Sequence, residues 1–325
     1  MNMKRILTLV FAGYSVLAFG QWIQYADTNT HSRGIAASKG KIYLSANTGL
    51  IYEYNISKDR SSCLNMGKAL EELRDIDVNG KRLVSMQSKN SSKLMYKLNN
   101  KVFNYEVDFD HHFFDGMALY AQKGMIMGDP VADTFIIYFT KTGRMTWLPS
   151  KKTVAAQPGE YGFAASGSNV IYMDGIFYFV TGGKTSRFFS TKDMGESWFE
   201  STLPFDESES SGAYSIAMMD DLKGVVVGGN HKTPDATFRN CFVTNDGGKT
   251  WKNPVTPPLG YRSCIVQHKG VYYCCGTNGL DYSTDGGMNW KSIAKDNFLS
   301  VVVYKNKVYA SSTKGRLARF KLMKK

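Results

Sequence analysis

Arg33, Arg74, Arg187 and Arg262 each stand at the edge of a short apolar run, and Asp115, Asp129, Glu160, Tyr214, His231 and Tyr261 hold comparable places. A guanidinium presents a rigid fork of donors that matches carboxylate or phosphate, so several facing one another would hold an anion. An arginine at the start of a strand can equally bond nearby loop carbonyls and lock the structure. Carboxyl and phenol groups become catalytic only when two of them flank one bond at a fixed separation. No Gly-x-Gly-x-x-Gly fingerprint and no metal-ligand spacing occurs, so neither a cofactor nor a metal is expected.

What could position such residues follows from composition. The 325 residues include 31 glycines and equal numbers, 19 each, of Phe and Tyr, which favours many short strands and tight turns over long helices. Residues 67–75 form the one modest amphipathic helical candidate. Lys4 and Arg5 precede an apolar run from Ile6 to Phe19, and Ala18-Phe-Gly20 supplies small residues where a signal peptidase reads. Residues 1–20 therefore read as a signal peptide, cleaved before Gln21, with no stable membrane insertion afterwards and export to the periplasm or beyond. The formal charge is +12, but 29 of the 40 cationic residues are lysines scattered through turns and strand edges. That is a solubility pattern, and no recognition helix points to nucleic acid. Of five cysteines, Cys264 and either Cys274 or Cys275 flank one turn, where a cross-strand disulfide and buried free thiols are both open.

Three stretches repeat the pattern hydroxyl-x-Asp-x-Gly-x-x-Trp: Thr191 to Trp198 through Asp193, Thr244 to Trp251 through Asp246, and Ser283 to Trp290 through Asp285. The carboxylate can accept from the turn's own backbone, the glycine supplies positive φ, and the tryptophan enters the core. Weaker copies end at Leu64, Phe103 and Trp147. Counting these anchors from Trp22 divides residues 21–325 into seven units of roughly 40 residues, as four-stranded propeller blades need. Turn signals at Lys39-Gly40, Asn79-Gly80, Lys123-Gly124, Asp174-Gly175, Lys223-Gly224, Lys269-Gly270 and Lys305-Asn306 give one hairpin per unit. The expectation is a single all-β domain, a seven-bladed β-propeller of four-stranded antiparallel blades. Trp22 to Tyr25 would be the outer strand of the C-terminal blade, closing the ring.

The three repeats resemble the Asp-box of sialidases and other BNR-repeat propellers. Gly128-Asp-Pro130, Ala165-Ser-Gly167, Thr181-Gly-Gly183, Val227-Gly-Gly229 and Pro258-Leu-Gly-Tyr-Arg-Ser263 are similar to an exported, Gram-negative group allied to the photosystem II stability and assembly factor family. The resemblance implies that the boxes are structural and that function lies on the opposite face. Loops on that face hold Arg33, Arg74, Asp115, Asp129, Glu160, Arg187, Tyr214, His231, Arg239 and Arg262. It implies a monomeric, non-catalytic module binding an anionic protein surface, acidic small ligand or glycan. The sialidase likeness offers the alternative of a glycoside hydrolase acting on an acidic glycan. Arg33, Arg187 or Arg239, and Arg262 would clamp the carboxylate, with Asp115, Glu160 and Tyr261 as catalytic candidates. Arg33-Gly-Ile35 departs from that family's Arg-Ile-Pro signature.

Overall fold

The structure, a computed structural model, describes residues 20–64, 71–89, 92–99, 101–105, 112–141 and 146–325. The signal-peptide assignment for residues 1–19, His111, residues 65–70 of the helical candidate and residues 142–145 of the box ending at Trp147 lie outside them. Seven antiparallel sheets form the blades of a β-propeller, and no helix occurs among the described residues. The first strands of the blades are Ser32–Ser38, Leu73–Asn79, Phe114–Tyr120, Val170–Met173, Ala213–Met218, Cys264–His268 and Phe298–Tyr304. Each contacts its counterpart in the next blade around a central channel. Leu73 to Asp75, read as helical, begins the first strand of blade 2.

The core is correspondingly a ring. One buried apolar cluster fills each interface between neighbouring blades, as with Ala118, Met125, Phe135, Phe177 and Phe189 between blades 3 and 4. The strands alternate toward these interfaces because successive side chains point to opposite faces. Blade 5 departs from the four-strand expectation. It has three strands, and only the single bridge Val243 to Lys252 stands where a fourth would run. Asn253-Pro254 follows at once, and proline has no N–H to extend a ladder.

Five of the seven turn signals fall at hairpins. At Lys39-Gly40 and Lys269-Gly270 both central residues have positive φ, 48° and 79° and then 50° and 81°, the geometry that matches strand twist. Two signals were displaced. Blade 3 turns at Ala121-Gln122 and blade 5 at residues 219–223, so Gly124 and Gly224 lie inside strands. Both are packing glycines: a Cβ on Gly124 would sit 2.9 Å from the Trp147 ring, and one on Gly224 2.1 Å from the Met218 sulfur.

The three complete boxes share one hydrogen-bond scheme. In the first, Thr191 Oγ1 donates to Asp193 Oδ1 (2.8 Å) and accepts from Gly195 N (2.9 Å), while Ser197 N donates to Asp193 Oδ1 (2.9 Å). Thr244/Asp246 and Ser283/Asp285 repeat it. Each tryptophan packs against the preceding blade: Trp198 on Phe139, Trp251 on Phe188, and Trp290 beside Val225 and Val243. Trp290 is buried, whereas Trp198 and Trp251 are half-buried.

The ring closes as the sequence suggests. Gln21–Gln24 pairs antiparallel with Arg316–Lys321, setting Trp22 opposite Ala318 and Gln24 opposite Arg316. The Trp22 ring lies 5.8 Å from that of Phe298 and under the Arg316 guanidinium at 4.4 Å. Tyr25 then buries itself with Ile42, Leu44, Tyr54, Tyr309 and Leu317 between blades 7 and 1. Deleting residues 21–27 should lower the melting temperature by about 5 °C or more, since it removes a ladder and part of an interface core. An unchanged melt in differential scanning calorimetry would contradict that role.

Candidate functional site

The channel mouth is built by one repeated irregularity. In blades 1, 2, 3, 5 and 7 the ladder between the first two strands slips at the second residue, leaving Arg33, Arg74, Asp115, Tyr214 and Leu299 unpaired. A bulge of this kind re-aims a side chain and ends regular pairing. Ser263 occupies the same place in blade 6, its N–H bonded to Cys275 O at 2.8 Å. All of these positions but Asp115 converge on a cavity of about 340 Å³. Its wall includes Arg33, Arg74, Phe163, Tyr214, His231 and Tyr261.

Two guanidiniums and an aromatic corner define this cavity. Arg33 Nη1 reaches Ala165 O at 3.5 Å, and Arg74 Nη1 reaches Ala164 O at 3.3 Å. Arg74 also pairs with Glu72 at 3.1 Å and lies over the Phe113 ring. Among the described residues Arg33 has no carboxylate partner, and neither arginine's Nε finds an acceptor. Burial, then the Arg74 charge, press the Arg33 pKa downward. Phe163 stacks on Tyr214 at 4.1 Å, and Tyr214 meets Tyr261 edge-on at 4.8 Å. The Tyr214 hydroxyl lies 3.0 Å from Ser210 O and 2.9 Å from His231 Nδ1. Its one proton serves the carbonyl, which can only accept, so Nδ1 of His231 is the donor to Tyr214.

Other candidates are placed elsewhere. Arg187 is buried against Glu160 through Nε to Oε1 at 3.0 Å and Nη2 to Oε2 at 2.7 Å, and its Nη1 takes Glu200 at 3.0 Å. Thr181 Oγ1 donates to Glu160 as well, at 2.5 Å. Arg262 is fully buried, with Nε and Nη2 on Asp281 Oδ2 at 2.8 and 2.5 Å and Nη1 on Asn278 Oδ1 at 2.6 Å. Arg239 is exposed and pairs with Asp206. The expected ring of four arginines is therefore a pair, Arg33 and Arg74. The carboxylate clamp drawn from the sialidase likeness is not assembled, because Arg187 and Arg262 brace their own blades.

Asp115 and Asp129 lie behind the mouth. Asp129 Oδ1 accepts from Gly162 N at 3.0 Å, and burial raises its pKa to about 6. Both Asp115 oxygens lack a hydrogen-bond partner among the described residues. Burial and then Asp129 push its pKa well up, against Arg74, which lowers it. The cavity residues that sequence reasoning missed are Phe163, Ala164, Ala165, Ser263, Thr277, Phe298 and Leu299. A usable signal existed: aligned on their turns, Arg33-Gly34, Arg74-Asp75, Asp115-Gly116, Tyr214-Ser215, Ser263-Cys264 and Leu299-Ser300 are one position.

The fold and mouth define a seven-bladed β-propeller, and solved structures superpose on it along nearly the whole chain. YCF48 bound to D1 peptide matches with a TM-score of 0.63 and 11% identity, over 94% of this chain and 97% of that one. The WD40 propeller domain of Doa1 gives 0.64 and 11%, over 94% and 98%. A catalytically inactive virginiamycin B lyase from Staphylococcus aureus with quinupristin gives 0.67 and 11%, over 94% and 99%. No family model matches, and no curated protein matches.

Two outcomes follow for stability. Arg262→Ala leaves Asp281 buried without its counter-charge and should cost about 3–5 kcal/mol in chemical denaturation, whereas Arg33→Ala should cost about 1 kcal/mol or less; equal costs would refute the division between bracing and mouth arginines. The second concerns pH. Asp75, in the channel, is pushed up to about 8 chiefly by burial. A raised carboxyl binds its proton more tightly when folded, so ionisation opposes folding as pH rises from about 4 toward that value. Comparing Asp75→Asn with wild type at each pH cancels the groups they share. The variant's relative stability should rise between about pH 5 and 8, and a difference independent of pH would exclude this linkage.

Proposed function

We propose that this protein is an exported, non-catalytic binding propeller whose mouth takes an anionic segment of a protein or peptide, with an acidic small ligand or glycan recognised by the same chemistry. The observation that carries this is Arg33: partly buried, facing a second guanidinium, and without a carboxylate among the described residues. Charges so placed are costly unless an anion joins them. The aromatic corner beside them supplies rigid apolar contact area, the usual complement to a few fixed polar groups. That YCF48 is bound to a peptide and Doa1 carries a WD40 propeller supports the binding reading. Export rests on Lys4, Arg5 and the apolar run behind them, and a monomer in the periplasm or outside the cell is the form in which we place it.

Binding should be measured by fluorescence anisotropy against labelled aspartate- and glutamate-rich peptides, with lysine-rich peptides as the counter-series. Acidic peptides should bind, more weakly as salt rises. Arg33→Ala with Arg74→Ala should lower affinity at least about tenfold, or about 1.4 kcal/mol, while Arg239→Ala should change it little. Acidic-peptide affinity unaltered by the double substitution would overturn the assignment.

A further inference from the structure

Below the mouth, the channel holds a second cavity of about 360 Å³, lined by Asp75, Asp77, Ser166, Ser168, Cys264 and Val301 among others. Cys264 is the one cysteine in this wall. Its Sγ accepts from Val301 N at 3.4 Å and from Ser168 Oγ at 3.4 Å. Ser168 in turn lies 2.6 Å from Ser166 Oγ and 2.5 Å from Ser215 Oγ, a hydroxyl chain along the channel. Cys275 is directly opposite Cys264 in the antiparallel ladder, and Cys274 is opposite Ile265. Side chains opposed in register share a face, so the partner thiol of Cys264 is Cys275.

We propose that Cys264 and Cys275 form a channel thiol pair that small hydroperoxides convert to a cross-strand disulfide. The thiolate is the reacting form of cysteine, and fixed donors around a sulfur favour it. Those donors, the Cys275 thiol first among them, bring Cys264 down to about 7 against its burial, whereas burial drives Cys241, Cys274 and Cys275 upward. In the first step the Cys264 thiolate attacks a peroxide oxygen and the O–O bond breaks. Sulfenic acid forms, and water or an alcohol leaves after taking a proton. In the second, the Cys275 sulfur attacks the Cys264 sulfur, the S–O bond breaks, and water departs with the Cys275 proton. The thiols lose two electrons and the peroxide gains them. Directly opposed residues have Cα atoms about 4.5–5.5 Å apart, within the span a disulfide bridges. Cys63, exposed on an outer strand, has no opposed thiol.

The test is titration of the whole protein with hydrogen peroxide, followed by peptide mass mapping without reductant. A Cys264–Cys275 linkage should form, at least tenfold faster than any oxidation of Cys241 or Cys274. Cys275→Ser should stop at a Cys264 sulfenic acid that dimedone labels. Cys264→Ser keeps an acceptor for Val301 N, as Ser215 does for Ile265 N in blade 5, so it should melt as wild type and form no linkage. Oxidation confined to Cys63, or Cys264 reacting no faster than Cys241, would overturn the proposal.

Discussion

Everything in this molecule depends on satisfying the inward backbone of seven innermost strands. Each such strand pairs outward within its blade and would leave a row of N–H groups facing the channel, where an unpaired donor is costly. At one equivalent position per blade, Gly34, Asp75, Gly116, Asn169, Ser215, Cys264 and Ser300, four blades meet this with a side chain that bonds the neighbouring blade, while in blade 5 Ile216 N bonds the Ser168 carbonyl of blade 4 at 3.0 Å. Asp75 Oδ2 accepts from Met117 N at 2.9 Å, Ser215 Oγ from Ile265 N at 2.8 Å, and Cys264 Sγ from Val301 N at 3.4 Å. In each case the donor is the residue after the equivalent position in the next blade. Ser300 joins blade 7 to blade 1 in the other sense, its hydroxyl donating to Arg33 O. The two glycines leave room for the next blade: a Cβ on Gly34 would lie 2.8 Å from the Asp75 backbone, and one on Gly116 2.8 Å from Gly167 O.

The bulge one residue earlier is the other half of this device. In the five bulged blades the residue before the ring residue leaves the ladder, and four of those released residues, Arg33, Arg74, Tyr214 and Leu299, line the mouth. That geometry separates arginines that composition treats alike. Arg33 and Arg74 sit at the bulge and face the cavity. Arg262 sits one residue before it and Arg187 on a third strand, so both fold back into their blades and find carboxylates there. The mouth holds less cationic charge than the face's arginine count implies, and that charge is less neutralised.

What was legible in the residues was short-ranged. A box closes within eight residues, and its hydroxyl, carboxylate, glycine and tryptophan each have one geometric task, so Asp193, Asp246 and Asp285 could be assigned from spacing alone. Counting from box to box then located the closure at Trp22, although its partner strand is nearly three hundred residues away. Gly124 and Gly224 misled because a glycine needed for packing under Trp147 or Met218 looks the same in sequence as one needed for positive φ. The fates of Arg187 and Arg262 were illegible for a different reason. Their partners Glu160 and Asp281 are 27 and 19 residues distant, on elements whose register nothing local fixes.

The ring also joins the two cavities. Cys264 follows Ser263, which lines the mouth, and Ser166 Oγ bonds Ser263 O at 2.8 Å while touching the hydroxyl chain that ends on Cys264. On the other side, Cys264 Sγ holds Val301 N, and the adjacent Ser300 hydroxyl holds the Arg33 carbonyl. A change at that sulfur is therefore two hydrogen bonds from the backbone that carries the mouth arginine. Packed interfaces of this kind shift between discrete arrangements more readily than they deform smoothly. The channel and the mouth thus belong to one mechanical unit, set by the strand-to-strand bonds that close the propeller.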